Sequence, residues 1–243
     1  MAQKGRPHEY RQIWEGKPVL RRLYTDYYHQ ILALCRPGPT LEIGGGCGNL
    51  KSFAPDILST DIVFTPWLDA VADATLLPFA AESFDNICLF DVLHHIERPA
   101  NFLSDAQRVL RPGGRIVMIE PAITPVSYLF YRLCHPEPVD MTVDPLVPLQ
   151  QRTGRAPWYA NQAIPTLLLF RCRASLHAQF PQLCVRLARR IAPFSYPLSG
   201  GFRPWSLLPL GLVRPLVSIE AILEPLLARF MAFRLIAVIE KLS

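Results

Sequence analysis

The 243-residue sequence predicts an α/β fold, a parallel sheet with helices on both faces, followed by a mainly helical, basic C-terminal extension. Three observations carry this expectation. Short apolar runs alternate with helix-period patterns through the first half of the chain. The stretch "TLEIGGGCGNL" (Thr40–Leu50) sets four glycines in five positions behind an apolar run broken by one carboxylate. Charge is divided unevenly, with 13 Lys+Arg against 17 Asp+Glu in residues 1–150 and 12 against 3 in residues 151–243.

The elements follow in order. "LRRLYTDYYHQILALC" spaces Leu20, Leu23, Tyr24, Tyr27, Ile31 and Leu34 by threes and fours, a helix closed by "RPGP". Thr40–Ile43 reads as a buried strand, "DILSTDI" and "LDAVADA" as two further short strands, and "FDNICLF" as a stronger one. "PANFLSDAQRVL" is a helix with Phe102, Leu103, Ala106, Val109 and Leu110 on one face, and "RPGG" turns it into the strand "RIVMIE". Such alternation puts a ligand site at the carboxyl ends of the strands, where the glycines lie. One or two glycines suffice for a tight turn; four fit a ligand lying against bare backbone.

Composition narrows the classes. Half of the residues are hydrophobic and 19% are charged, so the chain is globular. Six scattered cysteines without a C-x-x-C pair read as reduced thiols of a cytosolic chain. With neither a signal-peptide h-region nor an uncharged apolar run of about 18 residues, the expectation is a protein neither exported nor membrane-spanning. Eleven of the twelve cations in the basic part are arginines set among Leu, Phe, Pro and Trp, which is unlike a polar nucleic-acid surface. Two readings stay open for it: amphipathic helices with arginines toward water, or a surface meeting anionic lipid or an apolar acceptor.

The glycine spacing fails the dinucleotide pattern G-x-G-x-x-G, because the third place is Asn49. It satisfies E-x-G-x-G-x-G with Glu42, Gly44, Gly46 and Gly48, and so resembles motif I of the class I S-adenosylmethionine-dependent methyltransferases. "ADATLLPFAAESFDNICLFDVLHHIERP" and "AQRVLRPGGRIVMIEP" resemble later segments of that superfamily, in the expected order over residues 40–121. The resemblance implies a Rossmann-like methyltransferase sheet, S-adenosylmethionine as cofactor, and transfer of its methyl group to a small, apolar or lipid-linked acceptor. It further implies an N-terminal helical cap (1–39), a cofactor-binding core (40–121) and an acceptor-site insertion with the C-terminal extension (122–243). A binding or scaffold protein on the same fold, contacting a membrane or a partner through its basic part, is the competing reading.

The implied cofactor residues have separable chemistry. Asp61, 17 positions after Gly44, is placed for the ribose hydroxyls. Asp73 and the Ala74 backbone are placed for the adenine, Glu42 for the glycine loop and the cationic methionine end, and Phe90 for the methionine portion. Two departures stand out: "NLKSFAPDILST" leaves room for only a very short first crossover helix, and "IVFTPWLDAVA", with Pro66, is too short for a helix and a strand. Asp91, His94 and His95 in "DVLHHI" fall at i, i+3 and i+4, which on a helix turns all three to one face. His94 and His95 are the candidates for a general base; packing and a bound cation are the other roles open to them. Tyr24, Tyr27, Tyr28, Tyr128 and Tyr131 are candidates for an aromatic acceptor wall or for plain core. Beyond residue 150 no motif identifies a substrate, and "FRLIAVIEKL" is a weak strand candidate.

Overall fold

The computed structural model describes residues 6–147 and 160–242. Two N-terminal helices, α1 (Arg6–Gly16) and α2 (Pro18–Leu34), precede β1 (Thr40–Ile43), β2 (Leu58–Asp61), β3 (Ala70–Val71) and β4 (Phe84–Phe90). Then come α3 (Pro99–Val109), β5 (Leu110–Pro121) and α4 (Pro125–Cys134). After the undescribed segment, α5 (Ile164–Thr166) runs into a wider turn over Leu167–Arg171, followed by α6 (Arg173–Gln179), β6 (Leu183–Ile191), α7 (Ser195–Ser199), α8 (Val213–Met231) and β7 (Arg234–Lys241). The strands form one seven-stranded sheet in the order β3-β2-β1-β4-β5-β7-β6. β1 to β5 are mutually parallel where they pair, and β7 runs antiparallel to both β5 and β6.

Both faces of the sheet are covered, which is why its central strands read as almost continuous apolar runs. Ile87, Leu89, Ile116 and Met118 meet α3 and the Ile164–Leu176 segment, while Cys88, Val117 and Ile119 meet α2 and the stretch around α7 and α8. The periodicity behind α2 is seen directly: Leu20, Leu23, Tyr24, Tyr27, Tyr28 and Ile31 are all buried. The six cysteines are free thiols.

Two expectations are refined by the structure. The crossover between β1 and β2 contains no α-helix, only a single tight turn at Leu50–Ser52, and β3 is two residues long, as the short spacers require. The segment after residue 122 is less purely helical than the sequence suggests, because β6 and β7 lie in it and complete the main sheet. β6 was hidden by Arg186, Arg189 and Arg190 on an edge strand whose alternation is broken by an irregularity between Val185 and Leu187.

Candidate active site

At the carboxyl ends of β1, β2 and β4 opens a cavity of about 1190 Å³, lined by the glycine turn, residues 72–75, Phe90–Val92, His94 and His95. Its far side is built from Tyr131, His135, Glu137, Gln162, the stretch from Tyr196 to Trp205, and Arg234. Pockets for one drug-sized ligand occupy about 300–1,000 Å³, so there is room for two molecules side by side.

The glycines divide by role. Gly44, Gly46 and Gly48 all have positive φ, at 72°, 50° and 76°. A Cβ on Gly44 would overlap Val92 and one on Gly48 would overlap Trp67, so these two are demanded by the protein's own packing. At Gly46 a Cβ would meet nothing closer than the Gly44 carbonyl at 3.8 Å, and the residue lines the cavity: this is the backbone that a ligand can approach. Gly48 instead borders a smaller cleft with Trp67 and Arg11.

Acids surround that turn. Asp61, at the end of β2, accepts from the Gly46 N–H at 3.0 Å and from the Val63 N–H at 2.9 Å, so it orders the loop while facing the cavity. Glu42 is buried in β1 and accepts a hydrogen bond from the Ser59 hydroxyl. Burial raises its carboxyl to about 7, with Ser59 opposing the shift and Asp61 adding to it. No cation neutralises Glu42 by a direct contact among the described residues, which suits a cationic ligand. Asp73 is exposed, and its Oδ1 accepts from both the Thr75 N–H and hydroxyl at 2.8 Å, an Asx turn that leaves it beside Ala74 on the cavity edge.

The histidines do not share a helix face. Leu93–His95 is a single tight turn, and Asp91 precedes it with φ at 58°, so the i, i+3, i+4 argument does not apply. His94 turns inward. Its Nδ1 lies 2.7 Å from Glu120 Oε2, while Nε2 faces Glu137 Oε2 at 3.6 Å. Burial works against its charge, yet the two carboxylates raise it to about 10. The same contacts hold Glu137 down to about 2 despite its own burial. His94 thus keeps its proton at neutral pH and clamps the site without being free to accept one. His95, stacked on His94 with ring centroids 4.1 Å apart, is half-buried, lines the cavity and sits 3.9 Å from Glu137. The ligating atoms of His94, His95 and Glu137 lie within 4.8 Å of one another, a donor set of the kind divalent cations use.

The remaining wall joins tyrosine and phenylalanine candidates to two residues the sequence reading did not select, Arg234 and Lys17. Arg234 opens β7 antiparallel to β5, which delivers its side chain to the same edge as the glycine turn. It is 1% exposed, pairs with Asp91 at 2.6 Å, and lies over the rings of Phe90 and Tyr196 at 5.2 and 4.7 Å. Of the five tyrosine candidates, Tyr24, Tyr28 and Tyr131 line the cavity, whereas Tyr27 and Tyr128 pack outside its lining. Phe90 stands against Tyr24 and Tyr28 at 4.9 and 5.0 Å. Lys17 fixes the roof: its ammonium donates to the carbonyls of Gly201, Arg203 and Trp205 at 2.7, 2.7 and 2.8 Å. These contacts span more than 180 positions of sequence, which no local pattern announces.

Residues 46–118 match the methyltransferase domain family. Over 57 residues the chain is 42% identical to the ubiquinone/menaquinone biosynthesis C-methyltransferase UbiE of Paracoccus denitrificans, covering 24% of this chain and 23% of that protein. Over 55 residues it is 46% identical to the demethylmenaquinone methyltransferase of Clavibacter sepedonicus, covering 23% and 22%. The chain thus aligns with under a quarter of the length of either relative. Among solved structures, geranyl diphosphate C-methyltransferase from Streptomyces coelicolor superposes with a TM-score of 0.54 at 11% identity, over 91% of this chain and 82% of that one. The cyclase SpnF reaches 0.54 at 16% identity, over 90% and 81%. Two such chemistries at equal similarity mean that the superposition speaks for the fold alone. Residues 46–118 thus match the methyltransferase domain family, within a sheet whose order and glycine turn fit the class I S-adenosylmethionine-dependent superfamily that the three ordered motifs resemble.

Proposed function

We propose that the protein transfers a methyl group from S-adenosylmethionine to an apolar, lipid-linked acceptor. The observation that carries this reading is one continuous cavity with two unlike walls. One combines the open backbone of Gly46 with Glu42 and Asp61; the other combines Tyr131, Tyr196 and Phe90 with His95 and Arg234.

S-adenosylmethionine supplies an already activated methyl on a cationic sulfonium. The chain's own residues then have three tasks: to hold the donor, to align the acceptor and to keep water out, of which alignment contributes much of the acceleration. Gly46 gives the close approach, Asp61 accepts from the ribose hydroxyls, Asp73 and Ala74 border the adenine, and Glu42 offers negative charge near the methionine end. The aromatic chamber excludes water from an apolar acceptor. Where the acceptor arrives protonated, His95 takes its proton, since both ring nitrogens of His94 are turned to the carboxylates of Glu120 and Glu137. The relatives from Paracoccus and Clavibacter, named for ubiquinone and menaquinone methylation, support a lipid-linked acceptor.

The test is a transfer assay with methyl-labelled S-adenosylmethionine and separate organic and aqueous extracts of the source cells. Label in the organic phase with matching S-adenosylhomocysteine release is expected, and His95→Gln should lower turnover about 100-fold while cofactor binding is kept. Label confined to the aqueous phase refutes a lipid acceptor. Cofactor binding without release from any extract supports the binding or scaffold reading instead.

A further inference from the structure

Helix α8 is amphipathic in the inverted sense. Its two acids point inward: Glu220 is buried and accepts from the Ser195 N–H at 2.6 Å, and Glu224 accepts from the Ala192 N–H at 3.4 Å. Ile219, Ile222, Leu226 and Phe230, spaced by three, four and four, form one stripe that faces outward, with Ile222 75% and Leu226 71% exposed. Packed beside it, α4 shows a second outward stripe, Val126, Leu129 and Leu133, the last 75% exposed. Leu210 and Leu212, in the turn that leads into α8, extend the face. Apolar area gathered on two neighbouring helices marks a surface that meets something other than water.

We propose that this face seats on a bilayer carrying anionic lipid. The rim supplies the charge: Arg214 and Arg229 stand exposed near the two ends of α8, and Arg132 and Arg203 beside the end of α4. Neither α4 nor the 200–212 stretch contains an acid, and the α8 acids are turned away. That pattern is an interfacial helix with apolar side chains for the acyl boundary and arginines for the headgroups. A second copy of the chain fits less well. Whether two α8 helices pair parallel or antiparallel, Arg214 and Arg229 meet arginines of the other copy, with no acid on the face to offset them. The face also runs into the cavity, because Leu133 of the α4 stripe and Arg203 of the rim line it together with Phe130 and Trp205. If the acceptor is lipid-linked, as proposed above, it passes from bilayer to site without crossing water. No helix among the described residues is long and apolar enough to cross a membrane, so the seating is peripheral.

The full chain is sedimented with phosphatidylcholine vesicles and with vesicles of phosphatidylcholine and phosphatidylglycerol, at low and high salt. Binding to the mixed vesicles at low salt is expected, weakened by salt as screening shortens the reach of the arginines. Ile222→Glu with Leu226→Glu should reduce it by more than about tenfold, and Arg214→Gln with Arg229→Gln should abolish the preference for anionic lipid. All four positions are exposed, and thermal melting checks that the variants fold. Absence of binding to both vesicle types at low salt overturns the proposal, as does undiminished binding of the double glutamate variant. Sedimentation equilibrium showing a dimer that Ile222→Glu dissociates assigns the face to a second copy. Calorimetry with S-adenosylhomocysteine on the same samples keeps the readings apart: vesicle binding without cofactor binding overturns the function proposed above and leaves the face standing.

Discussion

The two walls of the cavity are built in opposite ways. The wall around the glycine turn comes from residues 42–75, one continuous stretch in which acids hold backbone amides of the same stretch, such as Asp61 on the Gly46 and Val63 amides. The facing wall is assembled from distant segments around buried charge, with Asp91 on Arg234 and Glu120 on His94. The first is a backbone cradle, expected to tolerate loss of one acid; the second is a set of mutually dependent ions, expected not to. Substitutions in the two walls should therefore separate, with affinity changing in one and stability in the other.

The largest expected effect lies in the facing wall. Arg234→Ala takes from Asp91 its direct ion-pair partner, leaving it beside Glu120 with His94 as its nearby cation, and should cost about 3–5 kcal/mol of folding stability. Asp91→Ala combined with Arg234→Met should cost distinctly less, because no unpaired charge remains. Urea unfolding measures both, and a single and a double variant of equal stability would break the contrast drawn between the walls.

In the cradle the effect should be smaller and of another kind. Asp61→Ala is expected to weaken cofactor binding by about 1.5–3 kcal/mol, the range for losing a hydrogen bond to a charged group, with a stability loss well below that of Arg234→Ala from the two amides it leaves to solvent. Calorimetric titration reads the first and urea unfolding the second. A stability loss as large as that of Arg234→Ala would show that Asp61 is structural.

The pH dependence is the mildest effect and sharpens the comparison further. Glu42 has a folded value of about 7 against an ordinary 4.5, so its protonated form suits burial. Without ligand, its contribution to stability is present below pH 4.5 and lost as pH rises through 7. A cationic ligand reverses the preference by favouring the carboxylate, so affinity should rise about tenfold from pH 6 to pH 8 and then level off. Glu42→Gln should remove that slope. A slope that persists in the glutamine variant assigns the titration to another group.

How much of this was legible in the sequence follows from the same division. Asp73 lies in a turn closed by Thr75 two residues on, and the glycines and Asp61 belong to strand ends whose motif is contiguous in sequence, so local pattern pointed to the region of the cavity they line, though not to Val92 and Asp61 as the partners of Gly44 and Gly46. Gly48 belongs to the same motif yet packs on Trp67, because spacing alone cannot distinguish a glycine required by a ligand from one required by the fold. Arg234 was hidden since its position depends on β7 lying antiparallel between β5 and β6, a property of the whole sheet. Lys17 was hidden by the distance in sequence to its three carbonyls. The histidine pair shows the reverse failure: the residues were selected, but a helix was assumed where the chain makes one tight turn, and their roles separated accordingly.

The central claim is that Gly46 is the point where the backbone receives S-adenosylmethionine. It is tested most directly by calorimetric titration of the wild-type chain and of Gly46→Val with S-adenosylhomocysteine, with NAD as the control ligand. A valine there would project into open cavity from a left-handed backbone that disfavours it. The account predicts binding of S-adenosylhomocysteine but not NAD by the wild type, and no binding by the variant at an unfolding free energy within about 1–3 kcal/mol of normal. Undiminished affinity in Gly46→Val, or NAD binding by the wild type, would contradict it.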